Sequence, residues 1–365
     1  MSYSLRVMHE TLRVVVFIVG AFCAGATFGS AVLTVVLPRG IPARLTRAVF
    51  LSTRAIFSLR IGRKASYERI DRVLALYAPM SLLILLQVWL VIVLAGYACM
   101  FWALEPGPIS KAIIISGSSL LTLGFLRGEG LPSTLLSFTE AAVGLALLAL
   151  LITYLPSLYA AFSRREQGVA SLEVRAGSPP SGAAMIDRMF RIEDLAGLGD
   201  VWRRWEDWFI DLEETHTSFP ALSFFRSPQP QHSWVTAAGA VLDGAAIAAS
   251  TLAGPRDPDT DLVIRAGYVA LRRIASFFGI PFDRSPRPDD PISITRVEYD
   301  EIYDRFAAAG MALKADRDQA WRDFAGWRVN YDAVLLGLAS LVSAPTAPWS
   351  SDRAPPFRRP RILRR

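Results

Sequence analysis

Cysteine is nearly absent from these 365 residues. The two present, Cys23 and Cys99, sit inside apolar runs, so neither a disulfide framework nor a cysteine-based zinc site is on offer, and each reads as a small buried hydrophobe. Charge is thin as well: 20% of residues are Asp, Glu, Lys or Arg, against about 25% in an average soluble protein. No GxGxxG or GxxxxGK[ST] motif occurs, which leaves out the familiar nucleotide cradles. Sustained Val/Ile/Thr alternation is missing, which argues against a sheet. What abounds is apolar sequence, 52%, and its charge is lopsided. Residues 1–165 hold 15 Lys/Arg against 6 Asp/Glu, whereas 166–365 hold 24 against 27. The basic excess lies beside apolar runs, so the net charge of +6 does not signify nucleic-acid binding. A membrane protein with a soluble extension fits this division.

The first apolar run, Val14–Leu37, is 24 residues without a charge. About 20 such residues cross a hydrocarbon core of about 30 Å, and a signal-peptide core is only about 7–15 residues long, so a retained helix is the expectation and a cleaved signal the competing one. Gly25 and Gly29 have GxxxG spacing, with Ala21 one step earlier, which lets helix backbones approach. Val73–Leu104 is uncharged over 32 residues, and Leu131–Phe162 is broken only by Glu140. Three crossings are expected.

Residues 39–72 carry nine basic and two acidic residues, and Arg164–Arg165 follow the third run directly. Positive-inside bias then puts 39–72 and everything after 163 in the cytoplasm, with the N-terminus and 105–130 outside and the chain multi-pass in the plasma membrane. Arg44, Arg47, Arg54 and Arg60 are spaced by 3, 7 and 6, not the repeat of three that a voltage sensor uses. Mixed with Val49, Phe50, Leu51, Ile56 and Phe57, they read as an interfacial helix drawn to anionic lipid.

Between the last two runs, Ile109–Leu121 is apolar but too short to cross. It is followed by Thr122-Leu123-Gly124-Phe125 and then by the polar Arg127-Gly128-Glu129-Gly130. Irregular backbone at membrane depth is tolerated where protein buries it or where it lines a water-filled path. The negative end of a half-helix dipole beside the strip favours a cation. These residues resemble the potassium-channel pore module, whose filter reads Thr-Val-Gly-Tyr-Gly. Leu131-Pro132-Ser133-Thr134-Leu135 is similar to the start of that family's inner helix, and Ser163-Arg164-Arg165-Glu166-Gln167 to its charged cytoplasmic end. The resemblance covers roughly 73–167. It implies a tetramer around an axis, passive passage of a monovalent cation, K⁺, between backbone carbonyls of 122–125, and no cofactor.

The chain departs from that pattern at the pore mouth. Leu126 stands at the second filter glycine, and Leu tolerates positive φ poorly. Arg127 stands where an Asp usually follows, and it repels cations unless Glu129 pairs with it. The alternative is a re-entrant loop that only packs, giving a channel-derived scaffold that conducts nothing. Gly144 and Pro156 in the third run are gating-hinge candidates, or packing residues. Glu140, the lone acid in the runs, is a candidate functional group, or pairs with Arg127 near the outer end.

The second half reads as helical: apolar residues recur with helical spacing over 185–216, including Trp202, Trp205 and Trp208, with Gly197 and Gly199 as a break. Trp234–Ala253 carries one charge, Asp243; alanine is weakly apolar, so a core helix is expected rather than a fourth crossing. Glu213, Glu214 and His216, with His232 beyond, open a distant reading as a membrane-anchored enzyme, but the second histidine one turn away that metal sites commonly use is missing. The expected layout is an all-α membrane protein. It has an N-terminal transmembrane helix (1–38), a basic interfacial segment (39–72), a pore-loop module (73–167), a linker (168–182), a helical cytoplasmic domain (183–345) and a basic disordered tail (346–365). The tail and the 39–72 segment are the surfaces expected to meet anionic lipid. The chain is expected to be no enzyme and to bind no metal.

Overall fold

The computed structural model describes residues 2–36, 44–61, 66–193 and 195–355. Apart from one bridge between Leu252 and Leu313, the described residues contain helices and turns only. They divide into two compact units.

The first unit holds α1 (Ser2–Val35), α2 (Arg44–Leu59), α4 (Tyr77–Leu104), α5 (Ile109–Leu120) and α6 (Gly130–Ala176) as far as Tyr159. Helix α1 lies along α4 at a point where neither has a side chain. A Cβ on Gly20 would meet the Gly96 carbonyl oxygen at 2.4 Å, and one on Gly96 would meet the Gly20 oxygen at 2.8 Å. Ala24 extends the same small seam. Gly25 and Gly29, which the spacing had singled out, face open space. Near the other end of this contact the Arg13 guanidinium donates to the Ala103 carbonyl (2.7 Å) and the Leu104 carbonyl (3.2 Å), satisfying two of the last carbonyls of α4. Helix α2 forms as the mixed Arg/apolar pattern suggests. Its Phe50 and Phe57 rings pack edge-on to Tyr77, whose hydroxyl donates to the Phe50 carbonyl (3.2 Å), while Leu51, Ile56 and Leu59 stay exposed. The remaining expectations for 39–72 fall partly on 37–43 and 62–65, outside the described residues.

The second unit takes α3 (Tyr67–Ala75), the rest of α6, then α7 (Gly182–Glu193), α8 (Leu198–Ser218), a 3-10 turn (Pro220–Phe224), α9 (Trp234–Thr251), α10 (Pro258–Phe277), α11 (Arg296–Ala308), α12 (Arg317–Arg328) and α13 (Asp332–Val342). Its core contains the tryptophan row of α8, Trp202, Trp205 and Trp208, with α9 buried against α7, α10 and α12. Asp243, the one charge of α9, accepts from Arg328 and from the Tyr331 hydroxyl (2.9 Å), and Arg328 also donates to Asp332 (2.7 Å) and to the Trp349 carbonyl (2.7 Å). Burial alone would lower the Arg328 pKa; the facing carboxylates more than reverse this and raise it, so the guanidinium stays charged.

Two boundaries differ from the expectation. The supposed linker from 168 is helix as far as Ala176, because Val169, Leu172 and Ala176 recur on one buried face and only Gly177, at φ +81°, ends the run. The supposed loose tail is packed from 346 to 355. Ala347 and Ser350 are buried, and Arg353 pairs with Glu298 (2.8 Å), which removes it from the cations free to meet lipid. Residues 356–365 lie outside the described part.

Val7–Val35, Tyr67–Leu104, Gly130–Ala176 and Trp234–Thr251 are long and apolar enough to cross a bilayer. In the last, 89% of the apolar window is covered by protein, against 22–44% in the other three.

Candidate functional site

Helix α5 is one short apolar helix lying against α4, where a Cβ on Gly117 would meet a Leu94 methyl at 3.8 Å. Its end is closed by a cap that needs a left-handed residue. Thr122 supplies it at φ +56°, so the Thr122 N–H reaches the Ser119 carbonyl (3.0 Å) and the Leu123 N–H reaches the Ser118 carbonyl (2.8 Å). The hydrogen bonding then continues past what a helix end requires. Gly124, left-handed at φ +70°, also donates to the Ser118 carbonyl (3.3 Å), and the Leu126 N–H donates to the Ser118 hydroxyl (3.1 Å). The buried Ser118 therefore holds three N–H groups of the strip. The carbonyls of Thr122, Leu123, Gly124, Phe125 and Leu126 accept no hydrogen bond from any described residue. Four of the five strip N–H groups turn inward, and the Phe125 N–H and the five carbonyls are left over. Thr122 to Phe125 are exposed in the chain, Leu123 at 61% and Phe125 at 66%.

The seat beneath the strip comes from α4 and α6. Glu140 is fully buried, but it does not meet Arg127. Its Oε1 lies 2.5 Å from the Ser116 hydroxyl, which is also 2.9 Å from the Leu94 carbonyl, so one serine ties all three helices together. Glu140 Oε2 has no hydrogen-bond partner among the described residues. One turn along both helices, Gly144 faces the end of α5: a Cβ there would sit 2.2 Å from the Leu120 oxygen. Gly144 is thus a point of close approach inside an unbroken helix, and Pro156 likewise lies within α6, exposed. Glu129 is not Arg127's partner either. Its carboxylate pairs with Lys111 (3.3 Å) and its N–H donates to Glu105 Oε1 (2.6 Å), while Arg127 is exposed. Ser116, Ser118 and Glu105 were missed by sequence reasoning, although the serine-rich face Ser116-Gly117-Ser118-Ser119 in an otherwise apolar helix was a visible signal.

The acids and histidines of the second unit do not converge. Glu213 pairs with Arg273, Glu214 accepts from Ser218 (3.1 Å), and His232 sits 3.2 Å from Glu173. His216 is fully buried between Arg165 and the Trp234 ring. Its Nδ1–H donates to the Leu212 carbonyl (2.9 Å), which leaves Nε2 to accept from Arg165 (3.4 Å). Burial first, then the neighbouring guanidinium, hold its pKa well below the usual histidine value, against the Leu212 hydrogen bond. Among the described residues no three His, Cys, Asp or Glu side chains gather to hold a metal. A cleft of about 920 Å³ in this unit is lined by Trp202 and Trp327 and by charges that cancel in pairs, Arg203 with Asp259, Arg256 with Asp261 and Lys314 with Asp323. It has no field of one sign.

No protein-family model matches the chain, and no solved structure matches it. The uncharacterized membrane protein YdjJ of Bacillus subtilis (strain 168) is 26% identical over 191 residues, which is 48% of this chain and 53% of that protein. The chain thus spans about half the length of the curated relative it matches. With several crossing-length apolar helices beside that similarity, the coarse class is settled. This is a multi-pass, helical membrane protein.

Proposed function

We propose that the chain is one subunit of a pore-loop, potassium-channel-like channel, with a monovalent cation passing between the backbone carbonyls of Thr122, Leu123, Gly124 and Phe125. The observation that carries this reading is the sorting of hydrogen bonds in the strip: three N–H groups are spent on Ser118, and five consecutive carbonyls are unspent. A run of free backbone carbonyls can replace the hydration shell of a cation, although the Phe125 N–H in the same strip is also without a described partner. One strip per chain cannot surround an ion, so several copies, four by resemblance, meet at an axis. The exposure of Leu123 and Phe125 in a single chain is what such an arrangement would cover.

In this reading α1, α4 and α6 cross the plasma membrane and α5 enters it without crossing. Helix α9, sheathed by protein, belongs to a cytoplasmic domain. The N-terminus lies outside, and the arginines of α2, beside exposed Leu51, Ile56 and Leu59, meet anionic headgroups. The permeant ion is K⁺, no cofactor takes part and the chain is no enzyme.

The test is unitary recording from purified full-length protein in planar bilayers under a K⁺ gradient. Discrete K⁺ currents, larger than those in equimolar Na⁺, are the expected result. Silence under every ion gradient would sink the reading and leave the non-conducting scaffold, which Leu126 and Arg127 at the mouth favour. Currents with equal K⁺ and Na⁺ permeability would remove the selectivity.

A further inference from the structure

Five consecutive residues of the second unit, Leu222 to Arg226, grip two helices that continue into the crossing segments on either side of the strip. On one side, Arg165 of α6 is 1% exposed, and its guanidinium donates to the Leu222 carbonyl (2.8 Å) and the Phe225 carbonyl (2.7 Å) while lying over the Phe162 ring. On the other, Arg226 donates to Asp71 (2.8 Å) and to the Tyr67 hydroxyl (3.0 Å) of α3, and to the Val342 and Ser343 carbonyls (3.0 and 2.9 Å) at the end of α13. Helix α3 is separated from α4 by Leu76 alone, and α6 is the helix that begins just after the strip.

We propose that Arg165 and Arg226 are positioning residues for gating: through the 222–226 segment they couple the state of the cytoplasmic domain to the two long helices that flank the strip. This rests on the channel reading above. A charge that serves only membrane topology is solvated at a helix end; Arg165 instead is buried and holds backbone. A planar guanidinium engaged by two carbonyls fixes orientation as well as distance, so a shift of the segment must carry both helices or break bonds to buried groups. The neighbouring contacts keep that end of α6 in place. The Trp208 indole N–H donates to the Arg165 carbonyl (3.2 Å), and Arg164 pairs with Asp211 (2.9 Å).

The experiment is single-channel recording of the full chain with R226Q, D71N, the double variant and R226K, each checked for an unaltered melting curve and elution volume. Expected is a roughly fivefold or larger change in open probability for R226Q and D71N, the double variant no worse than the stronger single one, and partial recovery in R226K. Unitary conductance and the K⁺/Na⁺ permeability ratio stay at the wild-type values, because the strip is untouched. If R226Q does not fold, D71N, which removes only the charge on α3, carries the test. Folded variants with wild-type open probability overturn the proposal, and so does an equal loss of unitary conductance, which would mean general damage. A wild type that passes no current fails the channel reading itself, and the gating role falls with it.

Discussion

Gly144 separates two roles that a glycine in a membrane helix can play, and Gly144→Ala decides between them. A hinge glycine replaced by alanine stiffens the helix and gains up to about 1 kcal/mol of helix propensity. At Gly144 that gain meets a fixed obstacle, because the new Cβ would lie 2.2 Å from the Leu120 carbonyl oxygen and 3.1 Å from a Leu120 methyl. Carbon and a carbonyl oxygen settle at about 3.3 Å or more, so α5 and α6 must part by about 1 Å. The oxygen is backbone and cannot rotate out of the way. Inserting a methyl into such a contact costs about 1–3 kcal/mol, which outweighs the propensity gain at most values in that range. Leu120 is also two residues before Thr122, so the displacement lands on the strip. G144A is therefore expected to lower the thermal midpoint of the purified protein in detergent and, on the channel proposal, to alter ion selectivity rather than only opening frequency. Equal or greater stability together with unchanged flux would show that the two helices do not approach as described.

The α1–α4 seam gives a matched comparison: Gly20→Ala, whose Cβ would press on the Gly96 oxygen, should destabilise by about 1–3 kcal/mol, while Gly25→Ala, facing open space, should be neutral or slightly stabilising, as read from thermal melts. Arg328→Ala strands Asp243 in the core with only Tyr331 and should cost about 3–5 kcal/mol in denaturant unfolding of the second unit, part of it regained in the double variant with Asp243→Asn. His216 sets an acid limb. Its folded pKa lies well below the unfolded value of about 6.5, so its contribution is present above that pH and is lost as pH falls below it, by at most about 1.4 kcal/mol per unit. Melting midpoints between pH 8 and 5 should fall on the acid side, and less steeply in His216→Gln; a flat wild-type curve would contradict the buried neutral imidazole.

Much of the architecture was legible because hydropathy over about 20 residues is a local quantity. The runs that became α1, α4 and α6, the shorter α5 and the Ala-rich α9 could each be read from their own residues. Partner choice was not local. GxxxG spacing marked Gly25 and Gly29, yet helix phase turns Gly20 to Gly96, and spacing within one helix cannot say which face another helix will use. The same holds for charge: Glu129 is two residues from Arg127 but pairs with Lys111, and Glu140 finds Ser116, because side chains close in sequence point apart once backbone direction is fixed. Arg165 read as a membrane-proximal charge because nothing in its neighbourhood announces a segment nearly 60 residues later offering two carbonyls.

The strip itself can be explained too cheaply. Thr122 and Leu123 bonded back to Ser119 and Ser118 make an ordinary left-handed helix cap, and a loop that only packs would use one. A cap is finished at Leu123. It does not call for a second left-handed residue at Gly124, a third N–H, that of Leu126, brought to the Ser118 hydroxyl, or five carbonyls in a row that accept nothing. A loop that only packs against protein would be expected to pair its acceptors with it, whereas the carbonyls of the exposed residues 122–125 have no described partner. In the proposed pore that row of free carbonyls would be stable at membrane depth only with water or a cation against it. In that reading Leu126, packed against the apolar core, ends the row where a second glycine would have continued it.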